Sequence, residues 1–151
     1  MASEDTLIGN ELVLAIGDGN SPEVFVDFCA LSDLAGLGET KPQVDTTTIC
    51  DTARTFRNGL AEGNEITVVA NLIHGTQQSS VDALQQIRDL FASYQADEIV
   101  NMRYRFRDVS PDEYFAWSAT ILSWAIAGPI GDKATITFGM KISGPVEWVY
   151  T

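Results

Sequence analysis

Residues 43–72, QVDTTTICDTARTFRNGLAEGNEITVVANL, constrain the fold more than any other stretch. A Thr-rich strand, Gln43 to Ile49, leads into a polar arm in which Phe56 stands among Arg54, Thr55 and Arg57. A turn at Gly63-Asn64 then opens a strand from Glu65 to Ile73, where Ile66, Val68 and Ala70 alternate with Thr67, Val69 and Asn71. Both faces of that strand are apolar or small, which suits a central position in a sheet. The arm between the strands has too few apolar groups to pack on itself. Ordering it must therefore be driven by docking onto another surface, and Phe56 is expected to be covered by a second copy of the chain.

The rest of the chain is mostly strand-like. Glu11–Ile16 and Glu23–Ala30 read as strands, with Val24, Val26 and Phe28 on one face of the second. The connector Gly17-Asp18-Gly19-Asn20-Ser21-Pro22 is rich in turn residues. It lacks the third glycine and the following helix of a phosphate loop. Leu34–Pro42 reads as irregular. The one helix spans 79–95, where Val81, Leu84, Ile87, Phe91 and Tyr94 recur at spacings of three and four with Leu90 beside them. Ser79 with Asp82 fits a capping box, which places Asp82 in the first turn. Val100–Arg107 and Tyr114–Ile126 follow, then Lys133–Ile142, and Val146–Tyr150 as a short last strand. Residues 1–9 read as a loose N-terminal arm. Strands with turns every 8–12 residues and one inserted helix predict a mainly β fold: a two-sheet antiparallel β-sandwich or barrel with a flanking helix, as one domain over 1–151. Residues 43–64 form its assembly arm.

Charge narrows the function. The net charge is −12, and residues 1–53 hold ten acids against the single base Lys41. Such a surface repels nucleic acid and anionic membrane. Cys29 and Cys50 lie in apolar or Thr-rich surroundings with no CxxC spacing, so both are expected as buried free thiols in a reducing compartment. Met1–Thr6 is polar and acidic, unlike a secretory leader, and no apolar run approaches a membrane span, so assembly in the cytoplasm is expected. No catalytic set stands out. His74 is the single histidine and lies at a strand end; there is no Gly-x-Ser-x-Gly elbow, and one His with two Cys falls short of a zinc site. Carboxylate pairs arise by chance among 21 acids. No enzyme activity, metal or cofactor is expected.

The electrostatic anomaly is a stripe of Arg103, Arg105 and Arg107 on one face of a strand, a third of all basic residues. Nearby acids weaken it as a nucleic-acid site. It can balance acids of its own chain, or meet the acidic N-terminal half of a neighbouring subunit, with Glu23, Asp27 and Asp45 as candidate partners.

The succession Val44-Asp45-Thr46-Thr47-Thr48, then Arg54-Thr55-Phe56-Arg57, then Ile66-Thr67-Val68-Val69-Ala70 resembles the major tail tube protein of long-tailed phages and gene transfer agents. Leu14–Val26 is similar to that family's first hairpin and Lys133–Ser143 to its closing run, so the resemblance spans nearly the whole chain. It implies a structural virion protein that forms stacked hexameric rings, a tail tube through which DNA passes without specific binding. The implied partners are the chain itself and the tape-measure, tail-tip and tail-terminator proteins; the implied location is the virion tail, assembled in the host cytoplasm. The expected subunit contacts are Thr46, Thr47, Thr48, Arg54, Phe56, Arg57 and Leu60, with Arg103, Arg105 and Arg107. The tube of a contractile tail or secretion apparatus shares this fold. A monomeric β-sandwich or barrel that binds a small ligand is the alternative of another class, separable by a sizing column. The chain departs from the family in its Thr run and Phe56, where relatives often have Val, Ser and Trp. It reaches Thr151 just after its last strand, so no added immunoglobulin-like domain is expected.

Overall fold

The computed structural model describes residues 12–19, 21–72, 77–106 and 113–150. The expected N-terminal arm, His74 and Arg107 lie outside the described residues. In chain order the elements are β1 (Leu12–Gly17), β2 (Phe25–Asp27), β3 (Leu31–Ala35), β4 (Glu39–Thr40), β5 (Gln43–Asp45), β6 (Phe56–Asn58), β7 (Glu62–Gly63), β8 (Glu65–Asn71), α1 (Gln78–Ala96), β9 (Ile99–Phe106), β10 (Tyr114–Ala127) and β11 (Thr135–Val149). Seven of them form one antiparallel sheet in the order β2-β1-β9-β10-β11-β8-β3, and two-stranded ladders join β4 to β7 and β5 to β6.

The sheet curls until its two edges meet. Laid flat, seven strands at a spacing of about 4.8 Å would hold β2 and β3 about 29 Å apart. Yet β2 ends at Asp27 and β3 begins at Leu31, a path of about 14 Å at most. The linking residues close the gap: Phe28 N–H donates to Leu14 O of β1 at 2.7 Å, and Asn71 N–H of β8 donates to Ala30 O at 2.9 Å. Tyr104 on β9 feels Asp33 on β3, which with the larger effect of burial pushes its phenol pKa up. The expected sandwich or barrel is thus built from a single rolled sheet, with α1 flanking it.

The inward residues form one apolar core. Leu14, Met102, Ile66, Val68, Phe138 and Met140 are fully buried in it, and Ala83, Ile87 and Leu90 bring α1 onto it. The central position expected for Ile66–Ala70 holds, since β8 lies between β11 and β3. The helix is rolled from the expected stripe: Ala83 is buried and Val81 is exposed. The capping box does not form. The N-cap is Gln77, Ser79 lies inside the helix, and the first turn has no acid; Asp82 instead accepts from Gln78 Nε2 at 2.8 Å. The helix ends on Asp97 in the left-handed region (φ 54°), whose N–H reaches back to Tyr94 O.

Several strand boundaries differ from expectation. The Thr-rich strand read over Gln43–Ile49 keeps only Gln43–Asp45 as β5, because Thr46–Thr48 turn their bonds to the hairpin tip. β2 keeps only Phe25–Asp27 of Glu23–Ala30, because Phe28–Ala30 turn away to close the sheet. Part of the segment read as irregular is strand, β3 and β4. The two expected last strands are one, β11, which runs through Gly144-Pro145 as a bulge: Trp117 alone faces three residues between Ser143 and Glu147, and Gly144 takes φ 85°. Both cysteines are exposed rather than buried, Cys29 on the β2–β3 crossover and Cys50 in the arm.

Candidate assembly surfaces

The arm is a long, narrow hairpin inserted between β3 and β8. Its root is fixed to β11. Ile142 N–H donates to Asn64 O at 3.3 Å, Lys141 Nζ meets Glu62 Oε1 at 3.2 Å, and Val146 N–H donates to the Glu39 carboxylate. Gly63 is buried against Ile142: a Cβ there would meet Ile142 Cβ and Cγ2 at 2.5 Å, so the root needs glycine. Beyond the root, β5 pairs with β6 in the register Gln43↔Asn58, Val44↔Arg57, Asp45↔Phe56.

The threonine run organises the tip. Thr46 N–H donates to Thr55 O at 2.9 Å, and Thr47 Oγ1 accepts from Thr55 N–H at 2.8 Å. Asp45 accepts from Thr47 N–H at 2.9 Å and Asp51 from Thr48 N–H at 2.7 Å. These bonds favour the ionised Asp45 and hold its pKa below the ordinary carboxylate value, the Thr47 side chain first and its amide second. Arg54 lies 3.4 Å from the same carboxylate. The tip is thus held by polar bonds, while the apolar groups of the arm have little cover: Phe56 is 49% exposed and Leu60 91%.

A second surface was not foreseen from sequence. β9 begins at Ile99, opposite Thr120, so among the described residues β10 from Ile121 to Ala127 has no strand partner on that side. The bulge between Ile121 and Ser123 shifts the side-chain phase. Trp117, Ala119 and Ile121 point into the core, whereas past the bulge Trp124 and Ile126 pair with inward Phe138 and Ile136. They project beyond the core: Trp124, 40% exposed, meets the Phe91 ring edge-on at 5.2 Å, and Leu122, Ile126 and Ile130 are exposed. Ser123 crosses close to Gly139, where an added Cβ would meet its Oγ at 2.6 Å. An apolar run reads as a buried strand in the sequence, and a bulge leaves no periodic mark.

Arg103 and Arg105 stand apart from the arm, on the outer face of β9. Both find partners within the chain. Arg105 Nη2 binds Asp27 Oδ2 at 3.0 Å, and the Arg103 guanidinium lies over the Phe25 ring at 3.9 Å and the Tyr114 ring at 4.6 Å. Beside them Asn101 donates to Glu23 and accepts from Ser118 Oγ at 2.6 Å. The acids considered as a neighbour's partners, Glu23, Asp27 and Asp45, are therefore all engaged within this chain. Among the described residues no group of three or more His, Cys, Asp or Glu could hold a metal, and no helix is long and apolar enough to cross a membrane.

No family model and no curated protein matches the sequence. Solved structures do match the fold. The tail of an empty gene transfer agent particle, determined with C6 symmetry, is 15% identical, with 96% of this chain covering 100% of that one at a TM-score of 0.68. The tail tube of SPP1 is 12% identical over 92% of this chain and 77% of that one, at 0.64. A sheath–tube complex of the extracellular contractile injection system PVC is 13% identical over 97% and 94%, at 0.68. The chain has the tail-tube fold.

Proposed function

We propose that this chain is a structural, non-enzymatic subunit of a phage or gene-transfer-agent tail tube. Copies close into six-membered rings and the rings stack around a bore that passes DNA. The observation that carries this reading is the arm. The fold extends a hairpin whose apolar and cationic groups its own chain leaves uncovered, on a body coextensive with tube proteins. The exposed edge of β10 supplies a lateral contact, because an unpaired strand rimmed by Leu122, Trp124 and Ile126 favours pairing with another copy. Heterologous contacts of this sort make rings when the rotation closes and open stacks when it does not.

Thr46–Thr48, Arg54, Phe56, Arg57 and Leu60 are the proposed arm contacts. Arg103 and Arg105 take a smaller part, since their own chain already engages them; Arg107, outside the described residues, is proposed as a contact with them. The wall facing DNA carries net negative charge, which suits a conduit that must not hold its cargo by counterion release. The chain itself, tape-measure, tip and terminator proteins are its partners, and it is assembled in the host cytoplasm into the virion tail. The fold matches the contractile injection system as closely, so the tube of a contractile apparatus is the second reading.

Purified protein, followed by light scattering over a concentration series with and without chelator and imaged in negative stain, tests this. Hollow tubes of six-fold rings, unaffected by chelator, are expected. A strict monomer at high concentration that also fails to extend sheared tubes would overturn the proposal.

A further inference from the structure

Asn58 is the one asparagine of the sequence that is followed by glycine. Glycine has no side chain to keep its amide nitrogen away from the carboxamide carbon of the residue before it. The other asparagines precede serine, leucine, methionine or glutamate, whose side chains hinder that approach. Asn58–Gly59 is thus the place in this chain most open to closure of a succinimide ring.

The fold sets the pair at one end of a short ladder. Asn58 faces Gln43 as an end pair of β5 and β6, which share three pairs, and Gly59 N–H donates to Pro42 O at 2.6 Å. Among the described residues no hydrogen bond or ion pair holds the Asn58 carboxamide. Closure is restrained by the backbone alone. The Gly59 nitrogen must lose the proton that Pro42 holds, and the extended chain at Asn58 must rotate to bring that nitrogen to Cγ. Both steps need the ladder open at its Pro42–Gly59 end. Every residue of β5 and β6 is exposed, and a two-stranded hairpin without a buried face is marginal in water, so the ladder opens often.

We propose that Asn58–Gly59 is a site of self-modification in the unassembled subunit. When the ladder opens, the Gly59 nitrogen attacks Asn58 Cγ. The N–Cγ bond forms, the Cγ–Nδ2 bond breaks, and ammonia leaves with the Gly59 proton. Water then opens the succinimide, at Cγ to give aspartate or at the main-chain carbonyl carbon to give isoaspartate. Either product sets a carboxylate beside Arg57. Isoaspartate also adds a methylene to the backbone of β6, so a ladder of three pairs loses either the Gln43 pairing or the Gly59–Pro42 bond. The core survives, because the ladder buries none of it. The effect on assembly rests on the tube reading: an altered arm no longer adds to a tube, whereas an arm already held in a tube keeps its ladder shut. The site then acts as a clock on subunits left unassembled.

The test ages free subunit in mildly alkaline buffer beside a synthetic peptide of residues 52–63 and beside tubes. Conversion is read by peptide mass, as exchange of NH2 for OH at position 58, and by labelled methyl transfer from an isoaspartyl methyltransferase. The free subunit should convert within about tenfold of the peptide rate, and assembly should slow it by about tenfold or more. Aged subunit should lose its rate of elongation from sheared tubes in step with its isoaspartate content. Asn58→Gln, which closes only a larger and slower ring, should stay unmodified, keep the wild-type Tm and elongate after ageing as when fresh. Free subunit that stays unmodified while the peptide converts would overturn the site. Modified subunit that elongates like fresh protein would overturn its effect on assembly, and equal conversion in tubes and free subunit would overturn the protection. Wild-type protein that forms no tubes would overturn the tube reading, with conversion in the free subunit still deciding the site.

Discussion

Replacing Gly63 by alanine tests whether the arm is anchored as the structure has it. The new methyl group would lie 2.5 Å from both Cβ and Cγ2 of Ile142, a residue only 4% exposed, and 3.2 Å from its carbonyl oxygen. None of these atoms is the end of a flexible side chain, so the root of the arm must move away from β11. Overpacking of this kind costs about 1–3 kcal/mol. For a chain of this size each kcal/mol lowers Tm by about 2–4 °C, so a fall of about 2–12 °C is expected. The assay is thermal unfolding followed by circular dichroism at a concentration where the subunit is unassembled. Ile142→Val should not rescue the variant, because valine keeps both offending atoms. Ile142→Ala removes the branch methyl. Alone it should cost about 2–5 kcal/mol as a core truncation, and in the Gly63→Ala background less, with a coupling of about 1 kcal/mol. A Gly63→Ala protein with unchanged Tm, together with strict additivity in the double variant, would refute the close approach and with it the anchoring of the arm.

Phe56→Ala should leave folding stability within about 1 kcal/mol of wild type, because half of the ring is already in water, while tube formation falls steeply; a matching loss in both readouts would place the ring in its own subunit's core. Arg105→Glu sets a second carboxylate beside Asp27, and with both side chains part-exposed the subunit should lose about 1 kcal/mol at low salt and recover part of it at high salt; a salt-independent loss would mean the pair is not what is broken. The lowered Asp45 pKa has a definite sign: ionised Asp45 orders the tip fully above the ordinary carboxylate range, and this ordering is lost as pH falls through its depressed folded value. The Thr47 amide resonance should therefore titrate below the unperturbed Asp value, and a midpoint at or above that value would count against the bond.

Much of the architecture was legible because its causes are local. The apolar spacing from Leu84 to Tyr94 fixes a helix, and strict alternation fixes β8, β9 and most of β11, because each pattern follows from the backbone period of one element. The exposed arm was legible too: its composition is poor in apolar groups, and in the structure Phe56 and Leu60 stand 49% and 91% exposed. What the residues could not carry was set by partners distant in sequence. Phe28 and Ala30 close the sheet only because Leu14 on β1 and Asn71 on β8, the strands next to its two edges, are there to bond them. Arg105 meets Asp27 across 78 positions, so the stripe faces its own chain first. The bulge after Ile121 is set by the pairing of β10 with β11, and past it Trp124 is left 40% exposed. Likewise the helix is rolled about its axis by the sheet it covers, burying Ala83 instead of Val81. Local periodicity decides which elements form; strand pairing, with its bulges and crossover, decides which of their faces stay exposed.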